Sequence, residues 1–365
     1  MFAISLDLIV EILCQLPVKS LLRFRCLSKE FRSMIDDRDF IRRHHNACLQ
    51  TNSNRRIIAR NNEGTTLFSL EFDSTTNVIA AAKILDVPIQ NLRFGFPVIG
   101  SCHGLLALSP MDHQGHITAV LWNISTIKLR ILPRIRGDSG DLFGCFGFGY
   151  DLASDDYKLV KIFGNQSSTK VIVYSLRADS WRWIEDLPDY CYFYSFHQQR
   201  GTLVAGTLNW MGQMEIESRE SRVLIISFDL KSENFRNVPI PDITNTNLGK
   251  LGIYDINDLG GCLCLSCIDG CEQVVDIWVM KEYNVKDSRT KLFSFSYLLS
   301  NIYVRIVPIV KSLFYSEGGE KVYIILNNSQ VIRHDLKKGK DEIVEVEKWP
   351  YIFSVTIYVD SLVSL

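Results

Sequence analysis

VLWNISTIKLRILP (Val120–Pro133), VIVYSLRADSWRWIEDLP (Val171–Pro188) and LIISFDLKSENFRNVPIP (Leu224–Pro241) are three versions of one unit. Each is an apolar run, a polar turn and a second run ending in Leu-Pro or Val-Pro, the pattern of a β-hairpin. Leu67–Pro88, Val275–Phe295 and Val331–Pro350 follow the same strand–turn–strand plan, the first of them ending in Val-Pro. Aligned at Phe72, Trp122, Tyr174, Phe228, Trp278 and His334, the six units are spaced 50, 52, 54, 50 and 56 residues apart. A period near 50 is the kelch-like spacing of a propeller blade. Each unit is then the outer hairpin of a blade. The Gly-punctuated segments between them (Gly100–Leu108, Phe146–Asp151, Gly206–Gly212, Gly260–Cys267 and Gly318–Leu326) are read as inner strands crowding a central channel. No blade can bury both faces alone, so the blades must stack and close a ring. Residues 66–365 are therefore expected to form an all-β, kelch-like propeller of six blades.

The N-terminal end has another texture. Residues 1–46 read as three short helices, with 47–65 as a linker and first strands. Ser5 can cap the first helix, and Asp7 sits where the helix dipole favours an acid. Pro17 stops that helix, a second runs from Val18 to Cys26, and Ser28 caps a third carrying Phe31, Met34 and Ile35. Asp36, Asp37 and Arg38 are read as a turn. Charge divides at the same place: residues 1–60 are net +5 and the remainder net −6. Leu6, Leu8, Ile9, Val10, Ile12, Leu13 and Leu16 cover nearly the whole circumference of the first helix, whereas an amphipathic surface helix needs one stripe. A unit of about 45 residues cannot bury that much apolar surface by itself. It must pack either on the rest of the chain or on a partner.

The stretch Leu6–His44 resembles a plant F-box, through DLIVEIL, LPVKSLL, RCLSKEFRS and DDRDFI. Ser5 stands where the family usually has Pro, and Phe31 where Trp is common. GSCHGLLALS, LWNIST, FGFGYDLASDDYKLVKI, GGCLCLSC and the hairpin units resemble, in order, the signatures of the F-box-associated domain. The similarity runs over almost the whole chain and is nearest to the constitutive-expresser-of-PR-genes and S-locus F-box types. Arg289 replaces the family's usual Trp.

The resemblance implies a non-catalytic adaptor, the substrate-recognition subunit of an SCF (Skp1–cullin–F-box) E3 ubiquitin ligase. A Skp1-like protein, and through it cullin and RING subunits, would dock on Leu6, Leu8, Ile9, Ile12, Leu13, Leu16, Pro17, Leu21, Leu22, Arg25, Cys26, Leu27, Ser28 and Phe31. A target protein would bind the propeller. The aromatic run around Tyr190, Tyr192 and Tyr194 is the candidate target-binding patch, because aromatics dominate protein-binding hot spots. A glycan- or small-ligand-binding, lectin-like F-box receptor is the alternative. It would show exposed aromatics beside Asn, Asp or Arg on the loops of one rim.

Composition narrows the field further. The chain is 47% hydrophobic and 22% charged, which excludes wholesale disorder. Forty Lys+Arg against 41 Asp+Glu leave a net charge of −1, unlike a chain that coats nucleic acid or an anionic membrane. No apolar run approaches the ~20 residues that span a bilayer. Asp7 and Glu11, with no preceding basic residue, argue against a secretory signal, so cytoplasm, nucleus or both are expected. The ten cysteines are then reduced core thiols. Cys262, Cys264, Cys267 and Cys271 lack the paired knuckles of structural zinc, so neither a metal nor a cofactor is expected. Cys102 and His103 are adjacent on a strand, which sends their side chains to opposite faces and argues against a nucleophile–base pair. Arg333, Lys337, Lys338 and Lys340 read as a solvated hairpin rather than a nucleic-acid patch.

Overall fold

The computed structural model describes residues 5–365 apart from 62, 74–77, 80–81, 90–91, 96, 113–118, 136–143, 166–167, 185–191, 194–199, 216–220, 241–250, 270–272, 297–309, 317, 327–329, 345 and 347–351. Four helices lead into six antiparallel sheets of four or five strands each, with one further two-stranded ribbon.

Blades two to six run in chain order, each from an inner first strand outward. Blade two comprises Val98–Cys102, Leu105–Leu108, Val120–Asn123 and Lys128–Ile131. Blade three comprises Gly144–Asp151, Asp156–Asn165, Ser168–Ser175 and Ser180–Ile184. Blade four has Thr202–Val204, Thr207–Glu215, Ser221–Asp229 and Phe235–Val238, and blade five has Leu251–Leu259, Cys262–Asp269, Val274–Met280 and Arg289–Ser296. Blade six has Val310–Tyr315, Lys321–Leu326, Gln330–Asp335 and Lys340–Val344. Blade one closes the ring. Its inner strand, Ile352–Val359, comes from the end of the chain and pairs with Arg55–Asn61, which pairs in turn with Leu67–Asp73. The six first strands touch in sequence around the axis and return to the start. Arg200 reaches across that axis from blade four, donating to the Val355 carbonyl oxygen at 3.2 Å and the Thr356 hydroxyl at 2.6 Å on blade one.

All six alignment points fall on the third strand of a blade, and the six hairpin units form the outer strands. The repeat also dictates the turn that follows. Asn123, Asp229 and Asp335 end their third strands, and each side-chain oxygen accepts two backbone N–H groups in the turn beyond. Four residues past the third strand the backbone turns left-handed: Ile127, Asp179, Glu233, Asn284 and Gly339 have φ of 60°, 50°, 56°, 64° and 61°.

One expectation needs correcting. Gly206–Gly212, Gly260–Cys267 and Gly318–Leu326 lie on second strands, one place out from the channel. Gly206, Gly260, Gly261, Gly318 and Gly319 mark the tight turn between first and second strands, at φ between 64° and 84°. Only Phe146–Asp151 lies wholly on an innermost strand. There, a Cβ on Gly147 would come within 2.8 Å of Leu208 and Trp210 in blade four.

Stacking generates the core. Six buried clusters occupy the six interfaces between neighbouring blades. Cys264 belongs to the blade five–six cluster and Cys267 to the blade four–five cluster, while Cys271 lies outside the described residues. Polar groups also cross interfaces. Lys158 of blade three contacts Asp151 at 2.9 Å, and on blade four it contacts Glu233 at 3.0 Å and the Leu230 carbonyl oxygen at 2.5 Å. Of the basic hairpin, Lys337 pairs with Glu320 and Arg333 with Glu342.

Candidate functional site

Helix α1 spans Leu6–Cys14, α2 Val18–Phe24, α3 Lys29–Ile35 and α4 Arg38–Thr51. The fourth helix adds to the three expected. Asp36–Arg38 is a corner rather than an end, because the Asp37 carboxylate accepts from the amides of Asp39 and Phe40 and starts a new helix. Ser5 and Ser28 cap α1 and α3, accepting from the amides of Leu8 at 3.3 Å and Phe31 at 3.2 Å.

The apolar surplus of these helices divides in two. Leu13, Val18, Leu21, Ile35 and Phe40 are buried together, with Ile9, Leu16, Leu22 and Phe31 partly buried around them. Leu362, from the tail of the chain, completes that cluster. The other part is uncovered: Leu6, Leu8, Ile12 and Leu27 are 65%, 48%, 51% and 67% exposed. Pro17 and Cys26 are also exposed, and Arg25 and Ser28 are half-buried. Arg25 grips Asp36 with two bonds of 2.6 and 2.9 Å, which holds the Asp36 carboxyl below the usual carboxylate range. Within the docking set read from the resemblance, Leu13 and Leu21 thus serve the unit's own core, and Leu6, Leu8, Ile12, Pro17, Cys26 and Leu27 lie at its surface.

Helix α4 fastens this unit to the propeller. Arg42 donates to Asp155 at 2.8 Å, with Arg38 3.6 Å from the same carboxylate. Asn52 donates to the Ser316 carbonyl oxygen at 3.3 Å. His44 donates to the Leu16 carbonyl oxygen at 2.8 Å, holding the turn at Pro17. His45 is 5% exposed and packs edge-on against His103, with ring centroids 4.9 Å apart. His103 in turn meets Tyr150 and Tyr157. The tail is stitched down beside it. Asn123 donates to the carbonyl oxygens of Ser361 and Val363, the Ser361 hydroxyl donates to the His103 carbonyl oxygen, and Arg56 pairs with Asp360 at 2.8 Å. Cys102 plays no part with His103; burial pushes its thiol up to about 12.

His45 gives the junction a pH dependence. Neither ring nitrogen has a hydrogen-bond partner among the described residues. Burial, then His103, then His44 hold its pKa down at about 3. Burial, and then Arg42, lower the His103 pKa as well. A histidine depressed in the folded state contributes its full stability above the unfolded pKa of ~6.5 and loses it as pH falls below that value. Between pH 7 and pH 5 the loss from His45 is about 2 kcal/mol. A His45→Phe variant is expected to show a smaller drop in unfolding free energy between those pH values. Equal drops in variant and wild type would refute the assignment.

In antiparallel blades, first-to-second and third-to-fourth turns emerge on one rim, and the remaining connections on the other. His103, Asp155 and Ser316 all lie at first-to-second turns, so the helical unit sits on that rim. Ile184 ends its strand, and Thr202 begins its own, toward the opposite rim. Tyr190 and Tyr194 lie outside the described residues. Tyr192 and Phe193 form a short strand against Gln213 and Gly212 at the far end of blade four's second strand. Among the described residues no group of three or more His, Cys, Asp or Glu is placed to hold a metal ion, and no helix is long and apolar enough to cross a membrane.

A helical unit with uncovered apolar side chains is thus bolted to one rim of a six-bladed ring. The chain belongs to the F-box proteins that carry an F-box-associated propeller. Residues 2–43 match the F-box domain and residues 55–365 the F-box associated beta propeller domain. F-box protein CPR1 of Arabidopsis thaliana is 33% identical over 100% of this chain and 89% of its own length. An F-box/kelch-repeat protein of the same plant is 29% identical over 80% of this chain and 79% of its own.

Proposed function

We propose that the chain is the substrate-recognition subunit of an SCF-type E3 ubiquitin ligase, acting in the cytoplasm, the nucleus or both. The observation that carries this reading is the uncovered pair Leu8 and Ile12, one turn apart on α1, with Leu6 and Leu27 also exposed, on a unit that α4 fastens to the propeller. F-box domains generally bind Skp1, and this face has the apolar area such a contact needs. The rim away from the helices is the target-binding end, and the short strand Tyr192–Phe193 pairs at that end of blade four. Chemistry belongs to other subunits. Holding target and ligase in one assembly raises the effective concentration of the target's lysines.

The small-ligand alternative has one foothold. A pocket of about 250 Å³ lies between Thr207, Ser227, Asp229, Arg236, Tyr283 and Asn284. It meets the pattern of an aromatic beside Asn, Asp and Arg, but the Tyr283 hydroxyl is already donated to Asn209 at 2.7 Å.

The test is direct binding to a purified Skp1-like adaptor. Burying one leucine contributes about 1.5–3 kcal/mol. Leu8→Asp with Ile12→Asp also places charge at the contact and is expected to weaken binding at least a thousandfold. Because both side chains point outward, the melting temperature should stay within about 2 °C of wild type. Unchanged adaptor affinity in the double variant would remove the basis for this function.

A further inference from the structure

We propose that the propeller holds its target through an anionic group, a carboxylate or a phosphate, that enters the central channel from the rim away from the helices and pairs with Arg200. The inference rests on the target-receptor reading above and names the chemistry it asks of the target. The two ends of the channel differ. On the helical side, α4 reaches the first-to-second turn of blade three through Arg42 and Asp155, and that of blade two through His45 and His103. Just past its C-terminus, Asn52 reaches the same turn of blade six at Ser316. Blades three and six are opposite in a ring of six, and a helix that reaches both lies across the mouth between them. Arg200 belongs to the other half. It precedes Thr202, where the first strand of blade four begins toward the far rim, and its backbone pairs with Phe146 near the same end of blade three.

The Arg200 guanidinium crosses the channel but is not neutralised where it lands. Both of its acceptors, the Val355 carbonyl oxygen and the Thr356 hydroxyl, are uncharged. Both bonds come from Nη1. Nε and Nη2 have no hydrogen-bond partner among the described residues, yet they are not sealed from solvent. Those two nitrogens form the edge of a guanidinium that grips a carboxylate or phosphate with two parallel bonds. Burial lowers the Arg200 pKa; Asp255 raises it and Arg60 lowers it again. Two guanidinium groups therefore act there against one carboxylate, and that carboxylate already accepts from the Ile256 amide at 3.0 Å. Holding a cation away from bulk water without a paired anion is costly. An oxyanion on the open edge of Arg200 removes that cost, which an amide or an apolar group does not.

The experiment offers the immobilised full-length chain three pools of random, C-terminally amidated dodecapeptides. The pools contain no Asp or Glu except at one fixed central position, which is Glu, phosphoserine or Gln. The Glu pool, the phosphoserine pool or both should be retained about tenfold over the Gln pool, and the two anionic pools tell which oxyanion the channel takes. Arg200→Gln should abolish the preference while adaptor affinity stays at the wild-type value. Thr356→Val removes an acceptor of Arg200 but no charge, so it should lower the melting temperature and keep the preference. Equal retention of the three pools by the wild-type chain would overturn the proposal, as would a preference that survives Arg200→Gln. So would equal loss of preference in both variants, since Arg200 would then be a strut across the ring. A wild-type chain that shows the preference but binds no adaptor would support the channel site and sink only the ligase reading.

Discussion

Removal of the last fourteen residues, Ile352–Leu365, is expected to unfold the whole propeller and the helical unit with it. The segment is the inner strand of blade one, and Arg55–Asn61 pairs with it from Val359 to Ile352. Its buried side chains serve separate places. Val355 packs at the blade six–one interface, Tyr358 at the blade one–two interface and Leu362 in the helical core. Three such side chains are worth about 5–9 kcal/mol by the area they bury. That matches the entire 5–15 kcal/mol by which a typical domain is stable. The Tyr358 hydroxyl bond to the Gly104 carbonyl oxygen and Arg200's reach across the axis are lost as well. A ring depends on both neighbours of every blade, so the damage does not stay local. Circular dichroism during urea titration should show no cooperative transition in the truncated chain. A sharp transition near the wild-type midpoint would mean that the ring does not need its closing strand.

Lys158→Met is expected to produce the second-largest effect, about 3 kcal/mol of lost stability. Burial pulls the Lys158 pKa down, but its bonds to Asp151 and Glu233 outweigh that and raise it. Its ammonium is 9% exposed, and its partners are 4% and 15% exposed. Replacing it with an apolar side chain of similar length leaves two carboxylates facing each other across the blade three–four interface. Arg182 still reaches Glu233 and keeps the loss toward the lower end. The melting temperature should fall by several degrees. A loss below about 1 kcal/mol in urea would show that the interface relaxes enough to hydrate both acids.

The ring was readable because it is periodic. Hairpins near 50 residues apart carry their register in the sequence, and all six alignment points land on equivalent strands. The helical unit was readable through its caps, Ser5 and Ser28, and through Pro17. What stayed hidden is where distant segments meet. Phe40, His44 and Cys48 recur at helical spacing, yet the polar residues between them and the acidic corner before them concealed α4. Asp155 reads as a turn residue and His103 as an isolated ring; nothing local says that Arg42 and His45 will find them. Leu362 is one leucine in a short tail. Contacts between residues 45 and 103, or 13 and 362, leave no periodic trace, so composition and spacing cannot supply them.

The presence of Leu362 in the helical core has a consequence for synthesis. The helices leave the ribosome before the propeller, and the side chain that completes their core is translated only after the strands of blades two to six. At roughly 10 residues per second the wait lasts about half a minute. For that time the exposed apolar side chains and the core that Leu362 completes are both open, and a nascent helical unit is a target for chaperones. Only a chain read through to Leu362 can finish the helical core. A product terminated before Leu362 therefore cannot complete its helical unit.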